Sequence, residues 1–228
     1  MEKTNSNYII AVDGACATGK SMLAKNIAKR FNITYIDTGA MYRAVALYFI
    51  NKNIEINESN CMEHINDIDI NIEYLNGIMQ IFLNNENVTL KIREHNVSKS
   101  ASQVAKYSVV RDKLLLMQRN ISKDKSIVLD GRDIGTVVFP NADIKFYVVT
   151  DILERARRRK KQLLDDCGED ISIEKVKEDL EARDHNDMTR QIAPLKKAQD
   201  AIVFDTTKFS IQEAIDEICS VISERLKI

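Results

Sequence analysis

One eight-residue segment near the start of the chain constrains its fold more than any other. Residues 14–21 read GACATGKS and match the phosphate-loop pattern G-x-x-x-x-G-K-[ST] at every fixed position. A short apolar run at 8–12 precedes the segment, and apolar residues at helical spacing follow it at 22–30. Because the motif requires a strand before it and a helix after it, the segment predicts a nucleotide phosphate site. A glycine-capped turn without a ligand would not explain the Gly-Lys-Ser ending.

Each part of this loop has a chemical task. The glycines let successive backbone N–H groups point at phosphate oxygens, and the following helix adds its N-terminal dipole. Lys20 would neutralise the β and γ phosphates, and the Ser21 hydroxyl would reach Mg²⁺. The residues expected to bind the nucleotide are Gly14, Ala15, Cys16, Ala17, Thr18, Gly19, Lys20, Ser21 and Met22.

Short apolar runs alternate with helical patterns along most of the chain. The runs predicted as buried strands are 8–12, 33–36, 126–129, 144–149 and 201–204. Strands that alternate with helices favour a three-layer α/β fold with a parallel central sheet. The last helix is predicted at 211–226, with Ser210 as its N-cap and Glu213 at the third helical position.

Two segments interrupt the alternation. Residues 69–92 predict three antiparallel strands, the first two joined by the hairpin signal Asn76-Gly77 and the third at 88–92. This patch indicates an inserted subdomain at about 50–98. The second interruption, at about 154–192, holds a run of basic residues at 155–161 and then a polar helix from about Ser172. Such a basic run is ordinarily a solvated helix face.

Charge and cysteine spacing exclude several functional classes. The chain has 33 basic and 34 acidic residues, so its net charge of −1 gives no reason to expect nucleic acid or an anionic membrane as a partner. The widely spaced cysteines at 16, 61, 167 and 219 form no metal-ligand or redox pair. No apolar stretch resembles a signal peptide or a membrane span, so a cytoplasmic protein is expected.

Three further segments carry charged residues to positions where a second ligand would bind. DTGAMYR at 37–43 places Thr38 and Arg43 at the carboxyl edge of the sheet, although Asp37-Thr38-Gly39 is also a typical N-cap turn. LDGRDIGTVVFP at 129–140 places Arg132 past a buried strand, where a salt bridge to either flanking aspartate is the alternative.

The third segment lies in the polar helix after the basic run. Arg183, Asp187 and Arg190 stand at i, i+4 and i+7, which places them in one narrow stripe of a helix. A surface charge stripe is the alternative interpretation of this spacing. The other two segments favour a stripe that faces a ligand.

Together these motifs resemble bacterial cytidylate kinases, a family of the nucleoside monophosphate kinase group. The resemblance covers essentially the whole chain, and LDGRDIGTVVFP is its most discriminating stretch. The matching segments are GACATGKS at 14–21, DTGAMYR at 37–43, ASQVA at 101–105, VVRDKLLLMQR at 109–119, LDGRDIGTVVFP at 129–140, ARDHNDMTR at 182–190 and APL at 193–195.

The resemblance implies phosphoryl transfer from ATP to CMP or dCMP, with Mg²⁺ as cofactor. It also implies one kinase domain over 1–228, with a core at about 1–49, 99–153 and 193–228. The insert at about 50–98 would bind the monophosphate, and the segment at about 154–192 would be a mobile lid. We expect a monomer whose partners are the small-molecule substrates.

Site residues follow from the resemblance by motif. Ser102, Arg111 and Asp133 correspond to contacts with cytosine, and Thr38 adds a substrate contact. Arg43, Arg132 and Arg190 correspond to contacts with the acceptor phosphate, and Arg183 and Asp187 to contacts with the sugar. Candidates for the transferring phosphoryl group and the ATP side are Arg155, Arg157, Arg158 and Arg159. The residues expected to act in catalysis are Lys20, Arg132, Arg158 and Arg190.

The chemistry of the base agrees with this pairing. Cytosine offers an amine donor at N4 and acceptors at N3 and O2, which match a carboxylate acceptor on Asp133 and a guanidinium donor on Arg111. Ser102 and Arg111 would lie on opposite faces of one unbroken helix. We therefore predict a helix break near Tyr107-Ser108, with Ser108 as the N-cap of the second helix.

Two questions stay open at this stage. Asp130 could support Mg²⁺ through a water molecule, beside Ser21 as a direct ligand. The acceptor could instead be UMP, AMP or shikimate, and a non-catalytic nucleotide-binding module or an ATPase that drives a partner is the alternative from another class. The full set of acceptor-side arginines argues against that second class.

Overall fold

A computed structural model describes residues 7–228 of the chain, apart from the side chain of Cys167. The strands are β1 (Ile9–Gly14), β2 (Thr34–Asp37), β3 (Ile70–Leu75), β4 (Ile78–Leu83), β5 (Glu86–Asn87), β6 (Ile127–Gly131), β7 (Ile144–Val149) and β8 (Ile202–Asp205). The helices are α1 (Lys20–Phe31), α2 (Thr38–Lys52), α3 (Glu58–His64), α4 (His95–Val104), α5 (Ser108–Ile121), α6 (Ile152–Cys167), α7 (Ile173–Thr189) and α8 (Ile211–Leu226).

The predicted parallel sheet is confirmed. Five strands lie in the order β2-β6-β1-β7-β8, and every neighbouring pair is parallel. Successive side chains of β1 point to opposite faces of the sheet. Ile10 and Val12 pack with α1 and α8, whereas Ala11 belongs to a cluster on the other face that α5 helps to cover. Both faces are covered, which explains why these strands are continuous apolar runs.

The insert contains the predicted antiparallel sheet, but its third strand was misplaced. β3 and β4 pair along their whole length across Asn76-Gly77, where both residues have positive φ. The third strand is the two-residue β5, not residues 88–92. Val88 still donates to the carbonyl of Ile81 at 2.9 Å, but Thr89 Oγ1 then accepts the N–H of Ile81. Because that side chain replaces a ladder partner, the chain turns away.

The helix break between the two predicted cytosine contacts is confirmed, and its cap is corrected. α4 ends at Val104 and α5 begins at Ser108. Tyr107, not Ser108, is the N-cap residue, because its carbonyl already accepts the N–H of Arg111 at 3.2 Å. Ser108 is therefore the first helical residue and makes no cap bond.

Two other helix starts are as predicted. The Ser172 hydroxyl accepts the N–H of Lys175 at the start of α7. Ser210 and Glu213 form the reciprocal capping box of α8. Among residues 7–228, none of the helices is long and apolar enough to cross a membrane. The division into core, insert and lid stays a prediction, and residues 1–6 of the predicted core lie outside the described residues.

The capping box predicts a measurable loss of stability. Ser210→Ala removes the acceptor for the Glu213 N–H, so the free energy of unfolding should fall by about 1 kcal/mol. Ser220→Ala is the matched control, because Ser220 is exposed within the same helix and alanine favours a helix interior. Chemical denaturation of both variants is the measurement, and equal midpoints would contradict the role of the cap.

Candidate active site

The phosphate loop is folded so that only glycine fits at two places. A side chain at Gly14 would place its Cβ 2.4 Å from the carbonyl oxygen of Val148, and Gly19 has φ +88° as the N-cap residue of α1. Lys20 Nζ donates to the carbonyl of Ala15 at 2.9 Å. Burial and the nearby Arg132 lower the pKa of Lys20 to about 8. The ammonium is thus aimed across the loop with little water around it.

Asp130 is held from both sides at the end of β6. Its Oδ2 accepts the Ser21 hydroxyl at 2.6 Å, and its Oδ1 accepts the Tyr35 hydroxyl at 2.7 Å. Burial, with the negative charge of Asp37 nearby, raises the pKa of Asp130. The structure therefore brings together the two residues that the sequence analysis assigned to Mg²⁺.

The segment after β2 combines a helix cap with a cation. Asp37 caps α2 by accepting the N–H of Ala40 at 2.9 Å, and its other oxygen pairs with Arg43 at 2.9 Å. The N-cap alternative is thus correct for Asp37. Thr38 donates to the carbonyl of Asp130 at 2.7 Å, which ties the start of α2 to β6. The Nε of Arg43 is buried without a hydrogen-bond partner among the described residues.

The predicted base contacts meet in one place. Arg111 Nη2 pairs with Asp133 Oδ2, and its Nη1 donates to the carbonyl of Ala105 at 3.2 Å. The guanidinium lies 5.5 Å from the centre of the Tyr42 ring. Ser102 approaches from α4 and donates to Asp187 at 3.3 Å. The break between α4 and α5 therefore allows both helices to line one pocket.

Asp187 connects two of the three arginines that were predicted to contact the acceptor phosphate. Arg132 Nε donates to it at 2.8 Å, and Arg190 Nη1 lies 3.7 Å away. Arg132 therefore pairs with Asp187, and the alternative of a salt bridge to Asp130 or Asp133 is wrong. Burial alone would raise the pKa of Asp187, but Arg132 and Arg183 outweigh burial and lower it. Asp187 and the side chain of Arg190 are almost fully buried, so these charges do not form a surface stripe. The prediction that all three residues lie on one helix is wrong for Arg190, which is the C-cap residue just after α7.

The basic run on α6 divides into inward and outward residues. Arg158 lines the cavity and donates to Thr206 Oγ1 at 3.1 Å and to its carbonyl at 2.9 Å. Arg155 is buried against Asp184 and donates to the carbonyl of Cys16 at 3.2 Å. Arg157 and Lys161, whose side chains are 65% and 80% exposed, fit the alternative of a solvated face.

A cavity of about 520 Å³ joins these groups. It runs from the phosphate loop at Gly19 and Lys20, past Arg43 and Arg132, to Ser102 and Asp133. Arg155 and Arg157 are not part of its lining. Tyr42 and Arg159 are. No role was predicted for Tyr42, although its position in DTGAMYR, directly before Arg43, indicates a place near the ligand.

Comparison with known proteins gives one family. The family model described as cytidylate kinase matches residues 10–224. A cytidylate kinase of Pediococcus pentosaceus is 43% identical over 224 residues, covering 98% of this chain and 99% of that protein. A cytidylate kinase of Fusobacterium nucleatum is 45% identical over 215 residues, covering 93% and 95%.

A solved structure gives independent support for the fold alone. A crystal structure of an uncharacterized protein from Eubacterium ventriosum aligns with a TM-score of 0.53 at 12% sequence identity. The alignment covers 95% of this chain and 99% of that one. The sheet and its helices are therefore an arrangement that other chains adopt.

Cys16 allows the electrostatics of the loop to be tested by thiol labelling. Its Sγ lies 3.4 Å from Arg183 Nη1. Burial opposes ionisation, but the surrounding cations, Arg183 first, lower the pKa of this thiol to about 7. Burial raises the pKa of Cys61 to about 11, so Cys61 should stay unreactive. Labelling at Cys16 should rise with pH through a midpoint near 7, and ATP should protect it.

The measurement is peptide mapping by mass spectrometry after brief exposure to a thiol reagent at pH 6 to 9. Cys16→Ser is the control and should lose the fast phase. A fast phase that persists in this variant, or that ATP leaves unchanged, would contradict the assignment of the loop.

Proposed function

The chain belongs to the cytidylate kinase family, and from its geometry we propose which residues carry the reaction. The reaction is the transfer of a phosphoryl group from ATP to CMP and dCMP. The observation that carries the residue assignment is one cavity lined by a phosphate loop at one end and by the Arg111–Asp133 pair at the other. This cavity connects a triphosphate site with a base-reading site.

On the donor side, Lys20 would neutralise charge on the β and γ phosphates. The positive end of α1 and the N–H groups of the loop would support it. Arg158 lies beside the loop: its Nη1 would be 3.5 Å from a Cβ placed at Gly19. Its partners in the structure are Thr206 and Glu154, and it would contact the ATP side of the cavity.

On the acceptor side, Arg43, Arg132 and Arg190 would hold the phosphate of CMP for in-line attack. The unpartnered Nε of Arg43 supports this role, because a buried donor favours an anionic ligand. Arg183 and Asp187 would contact the sugar. The acceptor phosphate is already ionised, so positioning and charge neutralisation carry the chemistry and no strong general base is needed.

We propose Mg²⁺ as the cofactor, held by Ser21 directly and by Asp130 through water. A hydroxyl and a carboxylate at the start of a phosphate-loop helix suit an ion that prefers oxygen ligands and keeps several waters. When bound, the ion would neutralise the phosphates of ATP.

The segment at 154–192 would act as the lid that excludes water, which would suppress hydrolysis of ATP. A monomeric, cytoplasmic protein whose partners are ATP, CMP and dCMP stays our prediction.

Acceptor choice and the need for Lys20 are tested in one assay. ADP production is measured with CMP, dCMP, UMP, AMP, shikimate or no acceptor. We expect turnover with CMP and dCMP and little without an acceptor. Lys20→Met should lose on the order of 100-fold or more in kcat, because it removes the fixed charge of the loop. Thermal unfolding of the variant is the fold control.

Other outcomes of this assay would overturn individual proposals. Folded Lys20→Met with near-wild-type turnover would exclude the assigned donor site. Equal ADP release without an acceptor would indicate an ATPase.

Base choice should depend on Asp133. Uracil presents a carbonyl at position 4 and a donor at N3, so both members of the Arg111–Asp133 pair would face the wrong partner. The mismatch costs about 2–4 kcal/mol, or roughly 30-fold to 1,000-fold in discrimination. Asp133→Asn can turn its amide either way. The variant should therefore lower kcat/KM for CMP and bring the kcat/KM values for CMP and UMP closer together. An unchanged ratio in the folded variant would mean that Asp133 does not read the base.

A further inference from the structure

Asp13 is a buried carboxylate for which the proposed reaction has no use. It lies in β1, directly before the first glycine of the phosphate loop, and is 4% exposed. Its Oδ1 accepts the N–H of Ile134 at 2.8 Å, and its Oδ2 accepts the N–H of Gly135, also at 2.8 Å. These two N–H groups begin the short π-helical turn Ile134–Val138, which follows Asp133 directly.

The two N–H groups form the kind of concave site that binds anions. Here a side chain from the neighbouring strand occupies it. Burial raises the pKa of Asp13 to about 7, although both N–H groups lower it. The space beside the contact is tight, because a Cβ at Gly135 would lie 3.0 Å from Lys145 Cδ and 3.4 Å from Asp13 Oδ2.

The position of this contact links two parts of the site. In the sheet, Asp13 is opposite Gly131, and its side chain reaches three and four residues further along the chain. Between these points lie Arg132 and Asp133, which face the acceptor side of the cavity. The backbone of this pair is thus fixed by the sheet at one end and by Asp13 at the other.

We infer that Asp13 is a positioning residue for base recognition, because its carboxylate fixes the backbone that aims Asp133 at the cytosine edge. The inference rests on the proposed base-reading role of Asp133. Displacing a contact residue by about 1 Å can cost on the order of 100-fold, so loosening this anchor should appear as lost discrimination. Asp13 itself does not line the cavity.

Asp13→Asn tests the inference with little change in shape. An amide offers one acceptor, so one of the two N–H groups would face another donor. We expect the CMP-to-UMP ratio of kcat/KM to fall about tenfold to a hundredfold. KM should rise more for CMP than for ATP.

Asp143→Asn is the matched control. Asp143 is exposed and accepts the N–H of Ile9 at 2.7 Å, at the other end of the same strand. The chemical change is the same, and the ratio should stay at the wild-type value.

Asp133→Asn and the double variant separate the possible failures. If Asp13 acts through Asp133, the double variant should have nearly the same CMP-to-UMP ratio of kcat/KM as the single variant Asp133→Asn. A ratio that narrows in Asp133→Asn but not in folded Asp13→Asn overturns the inference and leaves the base-reading role intact. A ratio unchanged in Asp133→Asn overturns both. If Asp13→Asn does not fold, Asp13→Glu takes its place, because it keeps the charge but moves the carboxylate by one methylene.

Discussion

The alignment of three strand ends is the constraint on which the site depends. β1, β6 and β2 are adjacent and parallel, and their register places Asp13 opposite Gly131 and Asp37 opposite Asp130. Parallel strands end at the same edge of a sheet, so the segments that follow them converge. This edge brings together three segments that are far apart in the sequence: the phosphate loop, the start of α2 and residues Arg132 and Asp133. The covered apolar faces of the sheet hold this register.

Charge burial is the cost of this convergence, and much of it is compensated inside the protein. Asp187 is balanced by Arg132 and Arg190, Asp133 by Arg111, and Asp37 by Arg43. A buried charge is tolerated only when it is paired and hydrogen-bonded. Cations nevertheless concentrate around the loop. They lower the pKa of Cys16 against the effect of burial, and they add to burial in lowering the pKa of Lys20. Bound phosphates would neutralise this excess of positive charge. The same arginines therefore serve both substrate binding and the stability of the fold.

The sequence was sufficient where local chemistry decides the structure. Continuous apolar runs predicted all five strands of the parallel sheet, and Asn76-Gly77 predicted the hairpin. The prediction for residues 88–92 failed because Thr89 supplies a side-chain acceptor in place of the ladder. The partner of Arg132 was also missed. Asp187 is 55 residues away, and no local pattern reports a pairing made by tertiary packing.

The two halves of the site share one rigid element, α7. Asp187 contacts Arg132 and Ser102 on the acceptor side, and Arg183, one turn earlier, contacts Cys16 in the phosphate loop. Residues four apart on a helix lie on the same face and move together. Any displacement of α7 that separates Asp187 from Arg132 therefore also moves Arg183 relative to the loop. Arg155 on α6 contacts both Asp184 of α7 and the carbonyl of Cys16, so direct contacts join the two helices to the same loop.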